Sequence, residues 1–155
     1  MIWHTHQTHR QLVRAAASLT AIGALSGCFG FLGGSSGSSS DYAITANRTS
    51  YSRGNVGEAT IRNVSGKRLE YNLCPRRLER KNNKYWVVAY EWPTSGSACT
   101  TEARSLDKGS SVSSLFDIPT GVPTGTYRIV FTGLSDDDGR TVEPDHASTP
   151  SFEVR

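Results

Sequence analysis

The chain has 155 residues, 36% hydrophobic and 20% charged, which is room for one domain of ordinary size, so a two-domain enzyme architecture is not expected. Its formal charge is +3, but with Arg10 and Arg14 set aside as leader residues, 15 basic residues face 14 acidic ones. That balance lacks the basic excess of a nucleic-acid footprint, so no nucleic-acid partner is expected.

Residues 1–27 carry two arginines and no acid, and an apolar run from Ala15 to Leu25 follows Arg14. This is the order of charged and apolar regions in an export signal. The run would span about 16 Å as a helix, too short for a hydrocarbon core of roughly 30 Å. It ends in Leu25-Ser26-Gly27-Cys28. An apolar residue, two small residues and a cysteine resemble the lipobox of bacterial lipoproteins, in which the small side chains admit the signal peptidase and the thiol takes diacylglycerol. The resemblance implies cleavage before Cys28, lipidation of Cys28 and attachment to a cell-envelope membrane, the outer one where the cell has two. Two or three acyl chains anchor durably, whereas one does so marginally.

Residues 28–40 form the next unit. From Phe29 to Ser40, nine of twelve residues are Gly or Ser, the composition of a flexible tether with a span of about 20 Å. From 41 to 155 the composition turns to short β-branched and aromatic segments punctuated by Gly, Pro, Asn and Ser. The expected fold class is all-β, a single antiparallel sandwich of about seven strands. Those strands are Tyr42–Ala46, Asn55–Asn63, Leu69–Cys74, Lys84–Trp92, Ser110–Phe116, Thr126–Leu134 and Pro150–Val154. Turns are expected at Ser65-Gly66, Lys81-Asn82-Asn83, Pro123-Thr124-Gly125 and Asp138-Gly139, among others. In the sixth strand the set Tyr127, Ile129 and Phe131 alternates with Arg128, Val130 and Thr132, and the first set is the better core candidate.

Three stretches resemble bacterial immunoglobulin-like domains of the cell envelope. They are Tyr51-Ser52-Arg53-Gly54-Asn55-Val56-Gly57-Glu58 with the turn Asn63-Val64-Ser65-Gly66, Lys84-Tyr85-Trp86-Val87-Val88, and Pro123-Thr124-Gly125-Thr126-Tyr127-Arg128-Ile129. Asn55, between Gly54 and Gly57-Glu58, departs from the pattern. The resemblance implies that Trp86 bridges two sheets and that the Tyr127 hydroxyl turns back onto a corner backbone group.

Setting Cys28 apart leaves Cys74 and Cys99, an even pair in an exported chain, so a disulfide between them is expected. Outside the leader the one histidine is His146, in the loop-like Glu143-Pro144-Asp145-His146. No catalytic residue, metal ligand set or cofactor is assigned, because no zinc motif, phosphate loop or nucleophile with a base stands in the sequence. Asp136-Asp137-Asp138-Gly139 is the one acidic cluster and reads either as a polar hairpin tip or as a hard-cation loop.

Arg76, Arg77, Arg80, Lys81 and Lys84 put five positive charges into nine residues against Glu79. They either shield a hairpin edge or meet anionic lipid headgroups, an acidic envelope polymer or an acidic protein. Trp86, Val88, Tyr90 and Trp92 are expected on one face of their strand, with Trp92 a candidate anchor for a ligand. The candidate binding residues are therefore Arg76, Arg77, Arg80, Lys81, Lys84 and Trp92. The function expected is that of a lipid-anchored, non-enzymatic envelope protein whose sandwich binds a protein or an envelope polymer. The alternative is a proteinase inhibitor, since such sandwiches also resemble the bacterial intracellular proteinase inhibitor family. Pro93–Ala98 or Asp136–Arg140 would then enter a protease cleft.

Overall fold

A computed structural model describes residues 41–94 and 96–155. The expected signal peptide, Cys28 and the linker to Ser40 lie outside the described residues. Among the described residues the structure is all-β, with β1 (Tyr42–Ala46), β2 (Ser50–Tyr51), β3 (Val56–Asn63), β4 (Leu69–Tyr71), β5 (Arg76–Asn82), β6 (Tyr85–Trp92), β7 (Arg104–Leu106), β8 (Ser111–Asp117), β9 (Gly125–Phe131), β10 (Leu134–Ser135) and β11 (Phe152–Val154). They build a β-sandwich from a sheet of order β1-β3-β8, a sheet of order β2-β11-β9-β5-β6 and a short sheet of order β10-β4-β7. Neighbouring strands are antiparallel except β2 and β11, which run parallel.

Alternation places the core. On β3, Gly57, Ala59, Ile61 and Asn63 are buried while the residues between them are not, the period of a strand with one face inward. Phe116 of β8 stacks on Phe152 of β11 at 5.9 Å, and Tyr51 meets both rings edge-on at 5.5 and 4.9 Å. These contacts join the two larger sheets. A side chain on Gly57 would put its Cβ 2.4 Å from the Phe116 ring and 2.8 Å from that of Tyr51. The close approach of backbone to rings therefore requires glycine at this point.

β9 runs through the middle of the five-stranded sheet and is covered on both faces. Tyr127, Ile129 and Phe131 are completely buried, and Val130 on the opposite face is 1% exposed. The Tyr127 hydroxyl donates to the Pro123 carbonyl at 2.6 Å, which is the corner contact the sequence led us to expect. The turn after β3 is organised by Asn63. Its amide nitrogen donates to the Lys67 and Leu106 carbonyls, while its oxygen accepts from the Ser65 amide and hydroxyl. A buried amide with partners on both ends fixes the path of the chain where no apolar contact would.

The strand count exceeds the expected seven. Arg76–Asn82 is a strand in the sheet interior, not a charged connection, and the hairpin turns at Asn83 and Lys84, one residue later than the Lys81-Asn82-Asn83 signal suggested. Asn83 takes a positive φ of 55°, which asparagine tolerates in a tight turn. The expected third strand stops at Tyr71, and the sixth divides into β9 and β10 around Gly133.

Candidate functional site

The β5–β6 hairpin carries all six candidate binding residues, and the structure sorts them into two kinds. On β5, Leu78 lies opposite Ile129, and Arg80 opposite Tyr127, so Arg76, Leu78 and Arg80 point to the core side. Arg77, Glu79 and Lys81 point to the outer face. The two core-side arginines reach past the apolar filling to its rim, as long stems allow. Arg76 donates to the carbonyls of Leu73 and Leu115 at 2.9 and 3.0 Å, and Arg80 donates to that of Thr124 at 3.1 Å. Burial pushes the Arg76 guanidinium below its ordinary range, with Asp117 opposing the shift. Arg76 and Arg80 thus close the sandwich rim and offer little to a ligand.

On the outer face Glu79 accepts from Arg77 Nε at 2.7 Å and from Arg128 at 2.8 Å, and Arg128 also reaches Asp145 at 2.7 Å. Glu79 and Arg128 are themselves buried. The Trp86 ring lies over Arg128, its centre 4.5 Å from the guanidinium carbon. Trp86 is therefore not the bridge between sheets that the resemblance implied; it lies on the solvent side of the five-stranded sheet and shields an ionic row. Glu79, Arg128 and Asp145 were not singled out in the sequence, because only the pairing of β5 with β9 brings them together.

The single aromatic face expected on β6 is also divided. Leu78 pairs with Tyr90 and Glu79 with Val88, leaving Ala89 as an extra residue in a β-bulge. A bulge shifts the alternation by one. Tyr90 and Trp92 consequently pack against the core, while Trp86 and Val88 face outward. Trp92 is half-buried, meets Tyr90 edge-on at 4.9 Å and lies under Arg76, whose guanidinium carbon is 5.3 Å from the ring centre. It is largely committed to packing.

What remains for a partner is the free margin of the hairpin. β6 pairs only with β5 among the described residues. Tyr85, Val87 and Val88 are 64%, 49% and 44% exposed. Lys81 and Lys84 are exposed as well, and their ammonium groups lie 5.9 Å from the centre of Trp86 and 5.2 Å from that of Tyr85. The surface thus joins apolar area, an open strand and positive charge.

The other expected positions are distributed elsewhere. Cys74 and Cys99 form a disulfide with Cα atoms 5.6 Å apart, tying the β4–β5 connection to the segment before β7. Carboxylate oxygens of Asp136, Asp137 and Asp138 come within 4.8 Å of one another. Each already faces a cation, with Asp137 on Lys67 and the other two on Arg140. The Lys67 hydrogen bond draws the Asp137 carboxyl below its usual range. Asp136 Oδ1 also accepts from the amides of Asp138 and Arg140, so the Asp136–Arg140 loop is folded back on itself. In the Pro93–Ala98 loop, of which Ser95 is outside the described residues, the Ser97 amide donates to the Thr94 carbonyl at 3.0 Å. His146 is exposed in the turn after Glu143.

No family model matches the chain, and no curated protein matches it. Among solved structures it is similar in part to the sporulation control protein Spo0M of Bacillus subtilis, with a TM-score of 0.45 and 11% identity over 74% of this chain and 49% of that one. It is also similar to part of the Pseudomonas fluorescens alkylpurine DNA glycosylase AlkC, at a TM-score of 0.38 and 13% identity over 74% of this chain and 30% of that one. The chain spans about half the length of Spo0M and less than a third of AlkC. Likenesses this distant carry no weight for function.

Proposed function

We propose that the protein is a lipid-anchored, non-enzymatic component of the bacterial cell envelope that uses its β-sandwich to bind another envelope macromolecule. The observation that carries this reading is Leu25-Ser26-Gly27-Cys28 at the end of an apolar run, followed at once by a Gly/Ser tether and a sandwich. In this reading the signal peptide is removed, Cys28 carries the lipid, and residues 29–40 hold the domain off the bilayer. The ligand surface is the outer margin of β5–β6, where Lys81 and Lys84 flank Tyr85, Val87 and Val88. Exposed aromatic and aliphatic area is a composition suited to partner recognition, and the lysines at its rim give the patch a positive sign.

The test is site-specific photocrosslinking in cells that express the full chain with a photoreactive residue in place of Val88. The expected result is a discrete crosslinked product in the membrane fraction, lost when Cys28→Ala is combined with the probe. Crosslinks that are absent at Val88, or identical in the Cys28→Ala chain, contradict the reading.

A further inference from the structure

The β5–β6 hairpin distributes charge and apolar area in the reverse of the order that protects a sheet edge. Soluble sheets blunt an edge strand with lysine, proline or inward charge on the edge itself. Here, among the described residues, the strand RRLERKN, with five charged residues, is interior, and the strand YWVVAYEW, with Glu91 as its one charge, is the edge. The Ala89 bulge interrupts β6 but leaves Tyr85–Val88 in continuous register with Glu79–Asn82. That stretch keeps Tyr85, Val87 and Val88 in solvent.

We infer that β6 is a strand-addition site, and that its occupant is an extended acidic peptide segment of a partner protein. The inference rests on the envelope-binding reading and names the chemistry of the ligand. An added strand would pair its backbone with the open margin of β6 and lay alternate side chains beside Trp86 and Val88 on one face and Tyr85 and Val87 on the other. Charge selects the partner. With Arg76 and Arg80 held on rim carbonyls and Arg77 paired with Glu79, the charge that the hairpin presents beside Tyr85–Val88 is that of the exposed Lys81 and Lys84, and the one carboxylate of β6, Glu91, lies beyond the Ala89 bulge. Lys81 and Lys84 carry that charge out to the rings of Trp86 and Tyr85. A second copy of the chain added at the same edge would oppose two positive hairpins, whereas carboxylates on an added strand would meet both lysines.

The experiment uses the full chain in non-ionic detergent and fluorescent peptides matched to the 8 residues of β6. One peptide alternates Glu with Val, a second alternates Lys with Val, and two further Glu peptides carry N-methyl groups on alternate amides in opposite phase. Strand addition uses every second amide of the peptide. The Glu peptide should bind, the Lys peptide should be at least about tenfold weaker, and one N-methyl phase should be lost while the other stays within about threefold of the parent. Equal binding of both N-methyl phases, equal binding of the Lys peptide, no binding of the Glu peptide, or a sedimenting dimer that excludes it would each overturn the inference. Because the Val88 crosslink and its dependence on Cys28 are measured separately, failure of the peptides with that crosslink intact removes strand addition and leaves the envelope-binding reading standing.

Discussion

Arg128 of β9 and Trp86 of β6 meet across the intervening strand β5, guanidinium carbon to ring centre 4.5 Å, while Arg128 holds Glu79 on β5 at 2.8 Å. The outer face of the five-stranded sheet is thus stitched by an ionic row under an indole lid. The row has a deep part and a shallow part, since the Glu79 side chain is 5% exposed and that of Asp145 80%. Removing one member of a buried pair leaves an uncompensated charge, whereas an exposed pair is worth little.

Glu79→Gln should therefore destabilise the domain by about 3–5 kcal/mol, and Asp145→Asn by less than about 1 kcal/mol. Urea denaturation followed by tryptophan fluorescence measures both. Equal, small effects would show that the row contributes nothing to the fold.

At the corner before β9, Tyr127→Phe keeps the buried ring and removes the donor to the Pro123 carbonyl. A cost of about 1–3 kcal/mol is expected from an unsatisfied carbonyl. An unchanged urea midpoint would show that the corner hydrogen bond is energetically idle.

Stability should decline in alkali. Burial raises the phenols of Tyr42, Tyr51 and Tyr127 above their ordinary value. The folded state then keeps protons that the unfolded chain releases from about pH 10 upward. The stabilisation is complete below that pH and is lost as pH rises toward the folded values. The one hydroxyl proton of Tyr42 is also shared between the Ser135 and Glu70 carbonyls, at 2.7 and 2.9 Å. Tyr42→Phe should be less stable at pH 7 and show a shallower decline between about pH 9 and 11 in thermal melts. A parallel decline in both chains would assign the alkaline loss to other groups.

The Cys74–Cys99 bridge closes a separation of 25 residues. Replacing both cysteines by serine should cost about 2–4 kcal/mol by the unfolded-state entropy model. The same urea midpoint reads it, and intact mass after alkylation without reduction should show neither cysteine labelled. Two labels would refute the bridge.

The core was legible where apolar residues alternate, as in Tyr127, Ile129 and Phe131, because period 2 is written directly into that segment. The corner at Tyr127 was legible because Pro123-Thr124-Gly125-Thr126-Tyr127 resembles the strand entry of bacterial immunoglobulin-like domains, which implies a tyrosine hydroxyl turned back onto the corner backbone. β5 was not, since its one apolar residue is Leu78 and, beyond the Arg77–Glu79 pair within the strand, its charges find partners on Arg128, Leu115 and Thr124 that are distant in sequence. Nor was the division of the β6 face, because Ala89 looks like any strand residue until Leu78 and Glu79 pair on either side of it. The candidate binding set changed for the same reason. Arg76, Arg80 and Trp92 are drawn into the rim, and Tyr85, Val87 and Val88 replace them beside Lys81 and Lys84.

The central claim is that Cys28 becomes a lipidated N-terminus. Intact mass and membrane fractionation of the full chain and of Cys28→Ala, expressed in a bacterial host, test it most directly. The expected wild-type product has lost residues 1–27, carries a diacylglycerol-sized or larger increment and sediments with membranes, while Cys28→Ala carries no lipid increment and leaves the membrane fraction. Wild-type protein that is soluble and unlipidated would contradict the claim.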